Sequence, residues 1–288
     1  MKFTNTIITG TGSYIPTEIK TNKDFENNEF FDAKNERIAG EGSVITEKFQ
    51  GITGIEERRY VSDDLTVSDI ATIAAQRAIE NAGIDPETID QIVVAQNFGD
   101  VKKGTIQTDV LPSIAARVKH NLKIENPSCI AFDMIFGCPG WIQGVIHADT
   151  YIKAGVGKTF LVIGAETLSR VLDMHDRDSM IYSDGAGATI IQAVESDEKK
   201  GLLSWEAASH TKDEAYYLFL GKSNKPNEDD KIRYIKMHGR KIYEYALSNV
   251  PPAMKNAIDK SGYNIEDVKK ILIHQANEKM DEAMIKRL

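Results

Sequence analysis

Residues 66–95 read TVSDIATIAAQRAIENAGIDPETIDQIVVA, and this stretch decides the fold class. Apolar residues recur at the spacing of one helix face from Val67 to Ala82, which predicts a helix. Thr66 precedes them as a cap, and Gly83 lies where a C-terminal glycine ends a helix. A buried strand is predicted next, over 89–95. A helix followed by such a strand is the building unit of an α/β protein.

The same pattern returns 179 residues later. Residues 253–261 are predicted to form a helix that ends at Gly262, and 268–274 form a second apolar run, which we interpret as a strand. The match needs no gap, since Ala78 aligns with Ala257 and Val94 aligns with Ile273. A chance likeness between two helix–glycine–strand units is the alternative. A duplication predicts two pseudo-symmetric halves, 1–193 and 194–288.

Further elements complete only the first half. The pattern predicts strands near 129–136, over 159–165 and over 186–193, and a helix over 140–154. The equivalents of these elements in the second half would lie beyond Leu288, so we expect an incomplete second half; a naturally shorter one is the alternative. Residues 213–233 are polar and are expected to be exposed, and Pro251 and Pro252 are expected to break the preceding helix.

Composition excludes several classes of protein. The 288 residues carry 35 Lys and Arg against 43 Asp and Glu, a net charge of −8, which argues against a nucleic-acid partner. The sequence predicts neither a membrane span nor a secretory signal. The two cysteines and six histidines show no disulfide framework and no metal-ligand spacing. We therefore expect a cytoplasmic globular protein with no structural metal.

Cys138 is the candidate nucleophile. A predicted strand feeds into Gly137-Cys138-Pro139-Gly140, and an amphipathic helix follows. With Pro139 at the first helical position, Cys138 is expected to cap the helix, where the dipole favours the thiolate. A small buried side chain is the alternative, and we assign that role to Cys129.

His274 is the second candidate, because it ends the apolar run of the second half. The carboxyl ends of strands in open α/β sheets are where active sites form. A histidine satisfied within the core is an equally good interpretation. Neither Gly10-Thr11-Gly12 nor 182–188 has the glycine spacing of a dinucleotide or phosphate loop, so no bound cofactor is expected.

Five ordered motifs together resemble the β-ketoacyl-acyl-carrier-protein (ACP) synthase III family, over nearly the whole chain. They are Gly51-Ile52-Thr53-Gly54-Ile55-Glu56-Glu57-Arg58-Arg59, the segment from Phe132-Asp133 to Gly140, Ser183-Asp184-Gly185-Ala186-Gly187-Ala188, Gly239-Arg240, and Ile273-His274-Gln275-Ala276-Asn277. The resemblance implies the duplicated, thiolase-like α/β/α layered fold and a homodimer.

The resemblance also implies a reaction. An acyl group from an acyl-CoA or acyl-ACP primer would load onto Cys138, and decarboxylative Claisen condensation with malonyl-ACP would follow, in fatty-acid or related lipid synthesis. His274 would be one of two hydrogen-bond donors to the enolate oxygen. Lys279, Lys286 and Arg287 match the basic positions that dock the acidic carrier protein; a solvated charged face is the alternative.

Three departures from the family bear on activity. The segment that carries the family's second donor, an asparagine, has no match here, and Asn277 is not its equivalent. We therefore expect this chain by itself to lack full condensing activity. Lys48 and Ile52 stand where the family commonly has the tryptophan and arginine that hold coenzyme A, which favours a longer acyl thioester or acyl-ACP over acetyl-CoA. Pro139 replaces the usual serine.

Other functions stay open from the sequence. The same fold is compatible with a specialised acyltransferase or with an enzyme that condenses long chains. Cys138 and His274 are compatible with a thioester hydrolase, although no third residue that would orient the histidine is evident. A non-catalytic partner subunit of a complete synthase is the remaining alternative.

Overall fold

A computed structural model describes residues 2–288, which form two compact units. Unit 1 holds the residues up to Glu18, Tyr60–Arg170 and Asp184–Leu203, and unit 2 holds Ile19–Arg59, Val171–Ser183 and Ser204–Leu288. The strands are β1 (Phe3–Tyr14), β2 (Glu18–Thr21), β3 (Glu57–Tyr60), β4 (Gln91–Ala95), β5 (Ile130–Met134), β6 (Thr159–Thr167), β7 (Asp184–Ser196), β8 (Leu218–Gly221) and β9 (Tyr234–Met237). The helices are α1 (Gly42–Thr53), α2 (Val67–Ala82), α3 (Ile114–Asn121), α4 (Gly140–Lys153), α5 (Gly239–Ser261) and α6 (Glu278–Ile285).

Unit 1 is built on a five-stranded sheet in the order β1-β7-β6-β4-β5. The central strand β4 runs parallel to β5 and β6, with Val93 opposite Phe132 on one side and Val162 on the other. Strand β7 runs antiparallel to β6 and β1. The carboxyl ends of β5, β4 and β6 therefore lie side by side along one edge of the sheet, which is where α/β sheets form their sites.

Helices cover both faces of this sheet. Alternate residues of β6 point to opposite faces: Leu161 and Ile163 belong to the core that includes α2 and α3, whereas Phe160 and Val162 pack in the core beneath α4. This α/β/α layering confirms the predicted fold class for unit 1.

Helix α2 agrees with its sequence signals at both ends. The Thr66 hydroxyl and backbone amide both donate to the Asp69 carboxylate, 2.8 Å away in each case, and Gly83 ends the helix with a left-handed φ of 64°. A Cβ added to Gly12 on β1 would lie 2.2 Å from the backbone oxygen of Ala74. Glycine at this position of β1 thus lets α2 pack directly against the strand.

Unit 2 contains two two-stranded sheets, β2-β3 and β8-β9, and helices α1, α5 and α6. Strand β8 lies inside the segment 213–233, so that segment is not wholly an irregular excursion. Its neighbour Ser223 is buried and donates to Asp173, a carboxylate that also pairs with buried Lys236. The polar composition of this segment serves an internal ion pair as well as solvent.

The predicted break at the two prolines is wrong, because α5 continues through Pro251 and Pro252 as one helix. Proline cannot donate a backbone hydrogen bond, but its fixed φ is compatible with a helix. Side chains of the preceding turn bond backbone carbonyls of α5: Ser248 Oγ donates to Glu244 at 2.8 Å and Asn249 Nδ2 donates to Tyr245 at 2.9 Å. The two donors that the prolines lack would have bonded the carbonyls of Leu247 and Ser248, so these side-chain bonds support the preceding turn and do not replace the missing donors.

The repeat is visible in local structure as far as one turn beyond each helix. Gly83 and Gly262, 179 residues apart, both end their helices in the left-handed conformation, with φ of 64° and 84°. A single 3₁₀ turn follows at the same separation, at Pro86–Thr88 and Ile265–Asp267. The likeness then stops, because β4 follows the first turn and no strand follows the second among residues 2–288.

The strand predicted over 268–274 is therefore wrong for the described structure. Leu272, expected to be buried, has 88% of its surface exposed. A backbone becomes a strand only when neighbouring strands accept its hydrogen bonds, and no described strand runs beside this run. Within residues 2–288, no helix combines the length with the apolar character needed to cross a lipid bilayer.

Candidate active site

Cys138 lies in unit 1, in the turn that joins β5 to α4, and its residue surface is exposed. Gly137 adopts a left-handed φ of 70°, and its carbonyl accepts from the amide of Gly140 at 3.0 Å, which closes the turn. Helix α4 begins at Gly140 with Pro139 as its N-cap. The predicted strand–turn–helix is confirmed, but Cys138 lies one residue before the cap rather than at it.

The expected preference for thiolate is wrong in this structure. Desolvation by surrounding protein atoms raises the pKa of the Cys138 thiol above its usual value, and the carboxylate of Glu166 raises it further. The backbone amide of Cys138 acts in the opposite direction and is the weaker effect. A helix N-terminus acts on a charge only over its first turn, so a crowded sulfur and a nearby negative charge outweigh it here.

Asn97 and Glu166 lie beside the nucleophile turn, and the sequence analysis missed both. Asn97 follows β4, and Glu166 is the penultimate residue of β6. Asn97 Oδ1 accepts from the amide of Gly137 at 3.1 Å, while its own amide and Nδ2 each donate to Glu166 Oε2 at 2.9 Å. Polar residues at the ends of two predicted buried strands were the available signal, and that signal was used only for His274.

Glu166 has an unusual environment for a carboxylate. Desolvation raises its pKa from 4.5 to about 7, although the hydrogen bonds from Asn97 lower it, and Asp184 adds a raising effect. Its Oε1 atom is buried and has no hydrogen-bond partner among the described residues. Near neutral pH this side chain is therefore present in both its neutral and its charged form.

Asp133, next to Phe132 in the cysteine motif, ties the end of β5 to another helix. Its carboxylate accepts from the amides of Ile114 and Ala115 at 2.9 and 2.7 Å, in the first turn of α3, and from Gln96 Nε2 at 3.1 Å. Free amides at a helix start bind a carboxylate well. The aspartate of the motif thus anchors the strand that leads to Cys138.

His274 lies in unit 2 and is exposed. Its positive form would lower the pKa of Asp281, a carboxyl whose pKa desolvation raises. Ile271, Ile273 and Gln275, which flank His274 in the chain, line an open groove of about 990 Å³ within the same unit. The pairing of His274 with Cys138 in one site stays a prediction.

Asn277 has a structural task at the start of α6, and its exclusion as the family's second donor stays a prediction. Its side-chain oxygen accepts from the amide of Met280 at 2.9 Å and so caps α6. An asparagine whose side-chain oxygen accepts a hydrogen bond from a helix amide is held in one orientation by that helix. The capping task does not itself require a role in catalysis.

The predicted docking residues lie on and just beyond α6, and all three are exposed. Lys279 donates to the carbonyl of Gly51, and Arg287 donates to its own helix at Ala283, 2.8 Å away. Lys286 pairs with Glu282 at 3.9 Å, an exposed contact of small energetic weight. The helix ends at Ile285, so only Lys279 of the three is within it.

The first motif of the resemblance has a structural basis in unit 2. Arg58 is buried; its guanidinium donates to Met180 O, Lys20 O and Asn22 Oδ1 at 2.8–3.0 Å and stacks over Phe25 at 4.9 Å from the ring centre. A planar group with five donors suits such a crowded position. Lys48 and Ile52, which stand where coenzyme A contacts were expected, are exposed on α1.

Comparison with known proteins decides the family. A family model described as 3-oxoacyl-ACP synthase III matches residues 132–211, which include the nucleophile turn. The β-ketoacyl-ACP synthase III of Caldanaerobacter subterraneus subsp. tengcongensis is 35% identical over 98% of this chain and 79% of its own length. That of Clostridium acetobutylicum is 35% identical over 98% and 80%. The chain belongs to the synthase III family.

Solved structures agree with this membership. The 3-oxoacyl-ACP synthase III of Aquifex aeolicus matches with a TM-score of 0.77 and 29% identity over 98% of this chain and 80% of that one. The enzyme of Thermus thermophilus matches with a TM-score of 0.78 and 28% identity over the same shares. The thiolase-like fold class predicted from the sequence is confirmed by this family membership.

Proposed function

We propose that this synthase III family member catalyses decarboxylative Claisen condensation between an acyl group and malonyl-ACP, in fatty-acid or related lipid synthesis. The observation that carries the proposal is the exposed Cys138 in a strand–turn–helix at the carboxyl edge of the unit 1 sheet, in a chain 35% identical to named synthases. No bound cofactor is needed, because both substrates are activated as thioesters.

In the first half-reaction, Cys138 Sγ attacks the thioester carbonyl of the primer and displaces its thiol. The proton of Cys138 leaves with that thiol, so the enzyme becomes an acyl thioester. Because the pKa of Cys138 is raised, the thiol must lose its proton during acylation before or as the sulfur attacks. Free amides at the start of α4 are the donors available near the sulfur for the oxyanion.

In the second half-reaction, malonyl-ACP loses carbon dioxide and its enolate carbon attacks the acyl carbon. The bond to Cys138 Sγ breaks, and the sulfur takes up a proton as the β-ketoacyl product leaves. We propose that His274 donates a hydrogen bond to the enolate oxygen, a role supported by its position in the Ile273-His274-Gln275-Ala276-Asn277 motif.

The two half-reactions are tested separately. The chain is incubated with a panel of acyl-CoA and acyl-ACP thioesters, and adduct and product are read by mass spectrometry. We expect an adduct that Cys138→Ala abolishes. A product longer by two carbons after malonyl-ACP is added is expected only when a C-terminal segment that carries the second donor is supplied, because this chain by itself is expected to lack full condensing activity. Free acid as the only product would show a thioester hydrolase instead, and no adduct with any thioester would favour a binding subunit.

The same panel identifies the primer class. We propose a longer acyl thioester or an acyl-ACP rather than acetyl-CoA, because exposed Lys48 and Ile52 lack the stacking and bidentate contacts expected for coenzyme A. Preferred acylation by acetyl-CoA would overturn this choice. Lys48→Trp with Ile52→Arg is expected to improve the use of acyl-CoA and to leave acyl-ACP unchanged.

Carrier-protein docking is proposed on Lys279, Lys286 and Arg287, whose exposed positive charges suit an acidic partner. Lys279→Glu with Lys286→Glu is expected to raise the apparent KM for carrier protein and to leave acylation by a small thioester unchanged. The matched control is the same charge reversal at exposed Lys34. An unchanged KM in the double variant would assign these residues to a solvated surface.

A homodimer is proposed through the free edge of β5. Among residues 2–288, β5 is hydrogen-bonded on one side only, to β4, and its first residue Ile130 has 57% of its surface exposed. An apolar edge strand of this kind pairs readily with a second copy. Sedimentation velocity at micromolar concentration is expected to show a dimer, and Ile130→Lys a monomer; a monomeric wild type would contradict the proposal.

Two further expectations stay proposals. The division into duplicated halves at 193/194 is supported by the paired left-handed glycines, Gly83 and Gly262. A cytoplasmic location is supported by the free state of Cys129 and Cys138.

A further inference from the structure

A chain of hydrogen bonds runs from the end of β6 to the nucleophile turn. Glu166 Oε2 accepts from both nitrogen donors of Asn97, and Asn97 Oδ1 in turn accepts from the amide of Gly137. Gly137 immediately precedes Cys138. Three neighbouring parallel strands, β5, β4 and β6, thus contribute to the position of one sulfur.

The chain of bonds has a direction that Glu166 sets. An ionised carboxylate can only accept hydrogen bonds, whereas the amide of Asn97 has a donating and an accepting end. Glu166 therefore holds the donating end toward itself, and the accepting end is left to face Gly137. With the amide reversed, two donors would face each other at Gly137, and that contact would be lost.

Glu166 also has a hydrogen-bond acceptor that the proposed mechanism does not use. Its Oε1 is buried without a hydrogen-bond partner in the described part of the chain. A buried polar atom without a partner lowers the stability of the fold, so its presence calls for an explanation. Asp184 from β7 raises the pKa of this carboxyl, and the carboxylate of Glu166 in turn raises the pKa of Cys138. The carboxyl is thus coupled to the sulfur by charge as well as through Asn97.

We propose that Glu166 is a positioning residue for the nucleophile, which fixes the Gly137–Cys138 turn for acylation by holding the amide of Asn97 in one orientation. The inference rests on the proposed role of Cys138 as the acyl acceptor. Its consequence is that the pair formed by residues 97 and 166 must present one acceptor to Gly137 and match donor with acceptor between themselves.

This requirement can be tested by exchanging the two chemistries. Asn97→Asp places a carboxylate opposite Glu166 and removes the side-chain donor between them. Glu166→Gln keeps one acceptor for Asn97. The double variant, Asn97→Asp with Glu166→Gln, removes the contact between two carboxylates and restores one side-chain hydrogen bond in the reverse direction, because the introduced amide can donate to the introduced carboxylate, whose second oxygen still accepts from Gly137. The backbone amide of residue 97 loses its acceptor in that variant, so the restoration is partial.

Two rates are measured at pH 8, where Glu166 is mostly ionised. The first is single-turnover acylation of Cys138 by an acyl thioester, and the second is alkylation of Cys138 by iodoacetamide, followed by peptide mass. Alkylation reports the position and ionisation of the sulfur even if no thioester acylates the chain. Glu195→Gln, at an exposed position of β7, is the control for loss of one negative charge.

We expect Asn97→Asp to slow acylation by about fivefold to tenfold, the size of one lost hydrogen bond, and Glu166→Gln to change it by less than threefold. The double variant is expected to be faster than Asn97→Asp and to recover part of the lost rate, a non-additivity that only coupled residues show. Glu166→Gln is also expected to move the alkylation midpoint to lower pH, because the negative charge that raises the thiol pKa is gone.

The proposal is overturned if the double variant is as slow as Asn97→Asp or slower, since the two residues would then act independently. It is equally overturned if Asn97→Asp reacts at the wild-type rate in both assays. If no thioester acylates even the wild type, the proposed function fails, and the alkylation rates of the four proteins alone decide the positioning role.

Discussion

Glu166 makes the stability of unit 1 depend on pH, and Glu166→Gln isolates that dependence. The pKa of this carboxyl is raised from 4.5 to about 7 on folding, chiefly by desolvation. The folded state therefore binds more protons than the unfolded state between these two values. Stability is highest below about pH 4.5, falls as the pH rises to about 7, and then stays level with respect to this group.

The magnitude follows from that pKa difference. A difference of about 2.5 pH units is worth at most about 3 kcal/mol, and partial solvent exposure of the side chain reduces it to about 2 kcal/mol. Glu166→Gln removes the titration and keeps one unpartnered buried polar atom, as in the wild type, and the cost of that atom does not vary with pH. The difference in unfolding free energy between variant and wild type should therefore shift with pH in favour of the variant.

The assay is urea unfolding of both proteins at pH 5 and pH 8, with exposed Glu195→Gln as the control. Subtracting wild type from variant cancels the histidines and other groups that titrate in this range. We expect the subtracted free energy to move by about 2 kcal/mol toward the Glu166→Gln variant between the two pH values. A subtracted value that stays constant within about 0.5 kcal/mol would refute the reasoning, because Glu166 would then ionise normally in the folded protein.

Three further substitutions test the packing and the anchors of the two units. Gly12→Ala places a Cβ into the backbone of α2 and should lower the free energy of unfolding, measured by thermal unfolding, by about 2–4 kcal/mol. Gly187→Ala on β7, where no atom lies within 4 Å of the added Cβ, should cost less than about 1 kcal/mol, and equal losses would contradict the close packing of α2 on β1. Asp133→Ala removes the acceptor for two α3 amides, so it should lower the free energy of unfolding by about 2 kcal/mol and slow the alkylation of Cys138. An unchanged midpoint of unfolding would show that α3 does not need this carboxylate. Arg58→Lys removes the guanidinium group that bonds three acceptors and should destabilise unit 2 by about 2 kcal/mol, measured by urea unfolding. An unchanged stability would show that these bonds do not stabilise unit 2.

Local signals in the sequence were sufficient for most of unit 1. Thr66, Gly83 and the apolar spacing between them placed α2 to the residue, because caps and periodicity depend on neighbours in the chain. The turn at Cys138 was also predictable, since Gly137 and Pro139 restrict their own backbone. These signals could not give the direction in which the pKa of Cys138 shifts. That direction depends first on desolvation and then on Glu166, which the pairing of β4 with β5 and with β6 brings near.

The same reason accounts for the missed network at the carboxyl edge. Asn97 and Glu166 are 69 residues apart, and nothing in either local sequence says that they share a hydrogen bond. The order of the parallel strands, with β4 between β5 and β6, brings their ends together. Bringing them together depends on the sheet topology, which no single sequence motif specifies.

The apolar run over 268–274 shows that a strand-like sequence pattern does not by itself produce a strand. Its apolar residues repeat those of β4 at a constant separation, and the glycine and 3₁₀ turn before it repeat as well. Helix ends and turns close their own hydrogen bonds, so they form wherever their sequence occurs. A strand does not, because half of its amides and carbonyls must bond each neighbouring strand. The apolar pattern therefore indicates which side chains this segment would bury as a strand, and among residues 2–288 no strand runs beside it.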